Sequence, residues 1–262
     1  MKIKKIFALL MIAVMIFAVT GCGGGDKTAD SQMSETMKKI KDSGKIVWGT
    51  NAAFAPFEMR SGDEVIGVDA EIAKKIAEKL DVELEVVDMK FEGLINALNS
   101  NQIDFIAAGF TIKPDRAEQV LFTDTYFKAV QKIIVQEGNT EIKSAEDLEG
   151  KIIGVQTNTT GDFTAKEYTD KIYRFNNAME AAIDLSNGRL DAVIVDDLPA
   201  QMIVAQNEGL VLLDDKAADD EEYALAVRKE ATDLKDIINE VLAELKASGA
   251  IDEWVEEYSL LD

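Results

Sequence analysis

From Lys45 onward the chain alternates short apolar runs with amphipathic helical periods, the rhythm of an α/β protein with mainly parallel strands. KIVWGTN at 45–51 predicts a buried strand. In VDAEIAKKIAEKL, Val68, Ile72, Ile76 and Leu80 fall four apart on one helical face, and VELEVV then alternates as a strand. FEGLINALNS predicts a helix and DFIAAG a strand. After Gly150 the order begins again: KIIGVQ as strand, a Thr-capped helix, NAMEAAIDLSNG as helix, DAVIVDD as strand, LPAQMIVAQNEG as helix and LVLLDD as strand. YALAVRK adds one more strand, and two helices close the chain near Tyr258. FTDTYFKAVQKIIVQ and DDEEYALAV read as two extended links. They divide the fold into one lobe at 45–128 plus 223–262 and another at 132–221, with a hinge of two crossings between them.

An internal match supports two similar lobes. LNSNQIDFIAAG (98–109) aligns without gaps on LSNGRLDAVIVD (185–196), an offset of 87, so Gly109 and Asp196 fall at the carboxyl ends of equivalent strands. VWGTN against IGVQ pairs the first strands likewise and sets Asn51 and Gln156 at strand ends. Ligands of open α/β sheets bind outside those ends. Two facing lobes would therefore gather Asn51, Gly109, Gln156 and Asp196 around one cleft.

The first 22 residues change the compartment. Lys2, Lys4 and Lys5 precede an apolar run from Ile6 to Val19 and a small-residue close before Cys22, the order of a secretory signal. VTGC resembles a bacterial lipobox, which implies cleavage after residue 21 and an acylated Cys22 as lipid anchor, the only membrane attachment expected. Residues 22–43 are expected to be that anchor and a flexible tether, with Met33, Met37 and Ile40 able to form a short helix at its end.

Composition narrows the chemistry. The 262 residues contain no His, which excludes Ser-His-Asp catalysis and His-ligated zinc or haem, and a lone Cys excludes an internal disulfide. The formal charge of −21 becomes −24 once the three signal lysines are removed, and it repels nucleic acid. No metal, cofactor or catalytic residue is expected.

GTNAAFAPFE, FEGLINALNSNQIDFIAAGFTIKPDR, FTDTYF, KIIGVQTNTTGD and GRLDAVIVDD, in that order and spacing, resemble the polar amino-acid-binding family of bacterial ABC-transporter substrate-binding proteins. The likeness runs from about residue 45 to the C-terminus. It implies a two-lobed type II periplasmic-binding-protein fold, each lobe a mainly parallel sheet flanked by helices. It also implies a monomeric extracytoplasmic receptor that closes on a free L-amino acid and delivers it to an ABC permease with its cytoplasmic ATPase. Carried over by position, Arg116 meets the α-carboxylate, for which a guanidinium is suited by its two parallel donors. Asp196, the Gly109 carbonyl and the Thr111 hydroxyl meet the α-ammonium, with Asp197 left to cap the following helix. Thr159 and Thr160 open a helix whose N-terminus attracts an anion, and Phe54 and Phe91 flank the ligand's stem, whereas Phe57 is core.

The chain departs from the family at Asn158, where Gly is usual, at Lys113, where Thr is frequent, and at Thr125, where Pro is frequent. Asn tolerates left-handed backbone, so the 158 loop is expected to survive. Side-chain selectivity is expected from Asn51, Gln156, Thr157, Val195, and Glu58 or Asp162. An uncharged Asn51 where basic-amino-acid receptors commonly have Asp points first to a neutral polar ligand such as glutamine, with a basic amino acid next. The alternative is an enzyme on the same fold, resembling cyclohexadienyl dehydratase, with a cleft carboxylate as general acid or base.

Overall fold

The structure is a computed structural model and describes residues 33–260. The signal segment, Cys22 and most of the expected tether lie outside the described residues.

Helix α1 (Glu35–Ser43) begins under the Ser34 side chain, which accepts from the Met37 N–H, and ends at Gly44 in left-handed geometry. Strand β1 (Lys45–Thr50) follows, then a three-stranded antiparallel meander, β2 (Ala53–Phe54), β3 (Glu58–Ser61) and β4 (Glu64–Ile66). Helix α2 (Val68–Leu80), β5 (Glu83–Asp88), a 3₁₀ turn (Phe91–Gly93), α3 (Leu94–Asn99), β6 (Phe105–Ile106) and α4 (Pro114–Ala117) complete the first half. The long strand β7 (Leu121–Gln136) leads to a second 3₁₀ turn (Ala145–Leu148), β8 (Ile153–Gln156), α5 (Thr160–Tyr168), β9 (Ile172–Phe175), α6 (Ala178–Ser186), β10 (Ala192–Asp196) and α7 (Asp197–Gln206). The chain returns through β11 (Leu210–Val227) to α8 (Thr232–Ser248) and α9 (Ala250–Ser259).

One eight-stranded sheet carries the fold in the order β5-β1-β6-β11-β7-β10-β8-β9. The three outer strands on each side are parallel, while β7 and β11 are antiparallel to each other and to their neighbours. The two expected links are therefore adjacent strands at the middle of the sheet. LVLLDD and YALAVRK, expected as separate strands, fall in the single strand β11, whose pairing with β7 shifts register four times.

The internal match is topological as well. The triplet β5-β1-β6 answers β9-β8-β10, and Phe105 at the start of β6 aligns with Ala192 at the start of β10. The repeated aspartate does one job in both halves. Asp104 Oδ2 accepts from the Val47 N–H at 3.0 Å while its own N–H donates to Val47 O at 2.8 Å. Asp191 Oδ2 accepts from the Ile152 N–H at 2.7 Å while its N–H donates to Ile152 O at 2.8 Å. A residue that satisfies one orphaned strand-edge donor and fixes the neighbouring strand explains why the polar turn carries Asp twice.

Apolar packing is divided in the same way. Leu94, Leu98, Ile103, Ile106 and Phe110 form a core in the first half. In the second half Leu185, Val193 and Ile203 pack in one cluster, and Leu148, Ile153 and Ile194 in another.

One expectation is corrected here. The tether does not extend to Ser43, because α1 is docked: Met37 and Ile40 are buried and Thr36 accepts from Arg228 Nε at 2.9 Å. Arg228 is itself buried and also donates to Leu98 O, Ile103 O and Asp104 Oδ1 at 3.0, 2.7 and 3.1 Å. Two apolar side chains three residues apart, together with Thr36 and with Lys39, whose Nζ reaches Asp104 Oδ1 at 2.9 Å, suffice to fold the segment onto the domain.

Candidate functional site

The strand ends from the two halves meet around one cavity of about 430 Å³, counting the space at its mouth. The ten residues expected from strand ends and the family motifs to contact the ligand line it: Asn51, Phe54, Phe91, Gly109 and Thr111 from the first half, with Arg116, and Gln156, Thr159, Thr160 and Asp196 from the second. Glu58, Ala108, Ile194 and Val195 complete the lining.

Arg116 comes from α4, a one-turn helix opened by Pro114, and is 3 % exposed. Its guanidinium carbon lies 4.5 Å from the Phe110 ring centroid and 5.2 Å from that of Phe91. Nη1 donates to Thr111 O at 2.9 Å and Nη2 to Asn158 O at 3.1 Å, so one side chain ties the two halves together. Burial lowers its pKa to about 10, and it stays cationic at neutral pH. Phe91 is thereby engaged by Arg116 on the cavity wall rather than standing free of it. Phe57 is core, as expected, packed edge-on to Phe127 and Tyr223 at 4.9 and 5.1 Å.

Gly109 has a φ of +49°, and a Cβ there would fall 2.5 Å from the Phe54 ring. Glycine meets both demands, the left-handed backbone and the close approach. Its N–H donates to Asp69 Oδ2 at 2.9 Å. Asn158 has a φ of +63°, so the loop keeps the left-handed geometry for which glycine is usual.

Across the cavity Gln156 Nε2 donates to Asn51 Oδ1 at 2.8 Å and to Asn176 O at 3.0 Å, while Asn51 Nδ2 donates to Met89 O at 2.9 Å. Thr159 is the N-cap of α5: its hydroxyl accepts from the Asp162 N–H and donates to Gln156 O at 2.8 Å. Thr160 Oγ1 donates to Glu221 Oε1 at 3.2 Å and accepts from Gln131 Nε2 at 3.0 Å.

Asp196 ends β10, 6 % exposed, with Oδ1 buried and unpartnered. It occupies the N-cap position of α7 without making a capping bond, and Asp197 is the first helical residue, so the capping role expected of Asp197 is not realised. Burial and the neighbouring Glu221 carboxylate hold the Asp196 carboxyl well above the usual range. Glu58, on β3, is 1 % exposed with Oε2 unpartnered, and burial beside Asp69 raises it in the same direction. Asp69 accepts from the Tyr126 hydroxyl at 2.6 Å, and burial lifts its pKa to about 6.

Two residues expected to set side-chain selectivity, Thr157 and Asp162, are elsewhere, as is Lys113, one of the departures from the family pattern. Thr157 Oγ1 donates to Phe175 O at 3.0 Å, Asp162 accepts from Arg174 Nε at 3.0 Å and from the Asn158 N–H at 3.1 Å, and Lys113 Nζ sits 4.6 Å from the Phe163 ring centroid. Sequence reasoning also passed over the polar layer beneath the cavity: Asp69, Tyr126, Gln131, Glu221 and Tyr223. Four of these lie within the segments read only as lobe links. The one available signal was their polarity amid alternating apolar positions of the strands.

Pairs of strand ends facing each other beside two long central strands, with a buried guanidinium and an unpartnered carboxylate inside, define a small-molecule binding protein. Residues 46–260 match the bacterial extracellular solute-binding proteins, family 3, and the chain belongs to that family. It is 35 % identical over 255 residues to the arginine-binding extracellular protein of Bacillus subtilis, covering 95 % of each chain. Among solved structures, the arginine-bound form of truncated ArgBP from T. maritima is 42 % identical with a TM-score of 0.76, covering 79 % of this chain and 99 % of that one. An ancestral arginine-binding protein bound to glutamine is 40 % identical with a TM-score of 0.77, covering 82 % of this chain and 97 % of that one. The fold is accordingly that of type II periplasmic amino-acid-binding proteins, as expected.

Proposed function

We propose that the cavity binds one free L-amino acid, with its α-carboxylate on Arg116 and the helix start at Thr159 and Thr160, and its α-ammonium on Asp196, Thr111 and Gly109. The observation that carries this is the buried, unpartnered Asp196 carboxylate in the same cavity as the buried Arg116 guanidinium. The two lobes, 45–128 plus 223–262 and 132–221, close around the ligand by bending where β7 and β11 cross. The closed receptor then delivers its ligand to an ABC permease.

For the side chain we place a cationic amino acid, arginine first, ahead of glutamine. Asn51 alone argued for the amide. Acceptors outnumber cations on the cavity wall, however: Glu58 and Asp196 each hold an unpartnered oxygen, and among the described residues Arg116 is the only basic side chain lining it. A guanidinium brings five donors to such a wall, and an amide brings two. The names of the relatives favour the same order, while the ancestral arginine-binding protein bound to glutamine keeps the amide in view.

A thermal-shift and calorimetric screen against the twenty amino acids plus ornithine, citrulline and cystine tests this, on protein first stripped of ligand by partial unfolding. Arginine should give the largest stabilisation. No shift with any amino acid would overturn the receptor reading. The protein is proposed to be a receptor and not an enzyme, so prephenate and arogenate should be recovered unchanged. Attachment at the cell membrane is proposed through acylated Cys22, and Cys22→Ser should abolish incorporation of labelled palmitate.

A further inference from the structure

The loop that meets Arg116 from the second half is held from behind. Residues 157–159 join β8 to α5, and Asn158 stands in that loop, exposed, at a φ of +63°. Both of its backbone polar groups are engaged, from opposite sides: its carbonyl oxygen accepts from Arg116 Nη2 at 3.1 Å, and its N–H donates to Asp162 Oδ2 at 3.1 Å. Asp162 is the third residue of α5 and is 3 % exposed. Gly161 lets α5 lie directly on β10, where a Cβ would fall 2.9 Å from Ile194 O, so the helix that carries Asp162 is itself fixed.

Asp162 is anchored in turn from β9. Arg174 Nε donates to both of its carboxylate oxygens at 3.0 Å, Arg174 Nη2 lies 2.8 Å from Oδ1, and Lys166 Nζ is 3.6 Å from Oδ1. These contacts hold the carboxylate in one orientation, with Oδ2 toward the Asn158 N–H. They also neutralise a negative charge in the first turn of α5, beside the helix start that receives the ligand's α-carboxylate, where a bare carboxylate would repel it. Left-handed backbone is unfavourable for a residue with a Cβ, so a loop with Asn at 158 needs an outside restraint to keep that geometry. The bond to Asp162 supplies the restraint on the side away from Arg116.

We propose that Asp162 is a positioning residue for the carboxylate clamp: by holding the Asn158 N–H it keeps the Asn158 carbonyl aimed at Arg116, and so sets the guanidinium for the ligand's α-carboxylate. This rests on the reading of the cavity as an amino-acid site and adds to it a residue that touches no ligand. Arg116 reaches the cavity from a one-turn helix of the first half, where its Nη1 donates to Thr111 O at 2.9 Å. With the Asn158 carbonyl turned away, the guanidinium is tied at Nη1 alone and swings about that bond. A carboxylate that needs two parallel donors then meets them in the right place for only part of the time.

The test is calorimetric titration of the whole mature protein with L-arginine, with the melting temperature of each variant recorded beside its Kd. Asp162→Asn and Asp162→Ala both lose the charge pair with Arg174, and their melting temperatures should fall alike. Only Asp162→Ala also loses the acceptor for the Asn158 N–H. Its Kd should rise about tenfold, the size of one lost hydrogen bond to a charged group, while Asp162→Asn recovers most of that loss. Equal weakening in both variants, the sign of a merely structural role in which affinity follows melting temperature, overturns the proposal, as does an unchanged Kd in Asp162→Ala. A double-mutant cycle reads the same link: added to Arg116→Ala, Asp162→Ala should change Kd by less than about twofold, and a full second loss also overturns it. The wild type decides without any variant, because hydrogen exchange of the ligand-free protein should find the exposed Asn158 amide protected, and exchange at the rate of an open chain overturns the proposal. Absence of binding by any amino acid appears differently, as no heat and no thermal shift, and removes the receptor reading itself.

Discussion

At the residue scale, the cavity's chemistry rests on two side chains that burial makes expensive to remove singly. Arg116→Ala deletes the cation facing the Asp196 and Glu221 carboxyls and the link to Asn158 O. We expect a cost of about 3–5 kcal/mol in arginine binding, a hundredfold or more in Kd by calorimetry. Asp196→Asn keeps the shape and loses the counter-charge, and should weaken binding of every α-amino acid alike. Unchanged affinity would leave Asp196 with only its place at the head of α7. Gly109→Ala asks for a left-handed alanine with Cβ 2.5 Å from the Phe54 ring. The displaced ring should cost at least about a factor of ten in Kd while the melting temperature moves by only a few degrees.

At the scale of elements, α1, β1, the turn before β6 and the end of β11 converge on Arg228 and Asp104. This is a buried ion pair with every guanidinium nitrogen donated, and neither residue lines the cavity. Arg228→Ala leaves Asp104 buried beside only the half-exposed Lys39 and should destabilise the fold by about 3–5 kcal/mol in urea unfolding, with arginine affinity of the folded fraction unchanged. Legibility in the sequence differed by element for a physical reason. Helices α2, α6 and α7 bury a periodic face, and strands β8 and β10, buried along their whole length, and β1, buried at four of six positions, announce themselves as continuous apolar runs. The meander β2–β4 and strand β9 were not read. The meander strands are two to four residues long, and β9 exposes its two middle residues, so neither carries a period long enough to register.

For the whole molecule, the buried acids make stability and ligand affinity move in opposite directions with pH. Asp69 has a folded pKa of about 6 against an ordinary value of 3.8, and Glu58 and Asp196 are shifted the same way. A carboxyl whose pKa is raised in the folded state contributes stability that is complete below its unfolded pKa and is lost as pH rises through the folded one. The empty protein should therefore melt at a higher temperature at pH 5 than at pH 7. Arginine should bind more weakly at pH 5, because its cations compete with protons for these oxygens. The depressed pKa of Asp162, where burial is the largest single influence but Arg174, the Asn158 N–H and Lys166 together outweigh it, acts only below its ordinary value and leaves this window alone.

Local pattern determined the order of most elements and the repeated half with its strand-end residues Asn51, Gly109, Gln156 and Asp196, and the resemblance of the motifs to a family supplied the other six of the ten expected site residues, all ten among the fourteen that line the cavity. Periodicity and motif spacing are properties of neighbours along the chain, and these features depend on nothing else. Tertiary structure decided what those residues do to one another. It set Asn51 against Gln156, closed Arg116 between two rings, turned Thr157, Asp162 and Lys113 away, and docked α1. It also gathered Glu58 and Asp196 on the cavity wall, with Asp69 and Glu221 in the layer beneath it, the first and last of the four 163 positions apart. Burial and through-space charge have no signature along the chain, and they govern how tightly this cleft holds a cation.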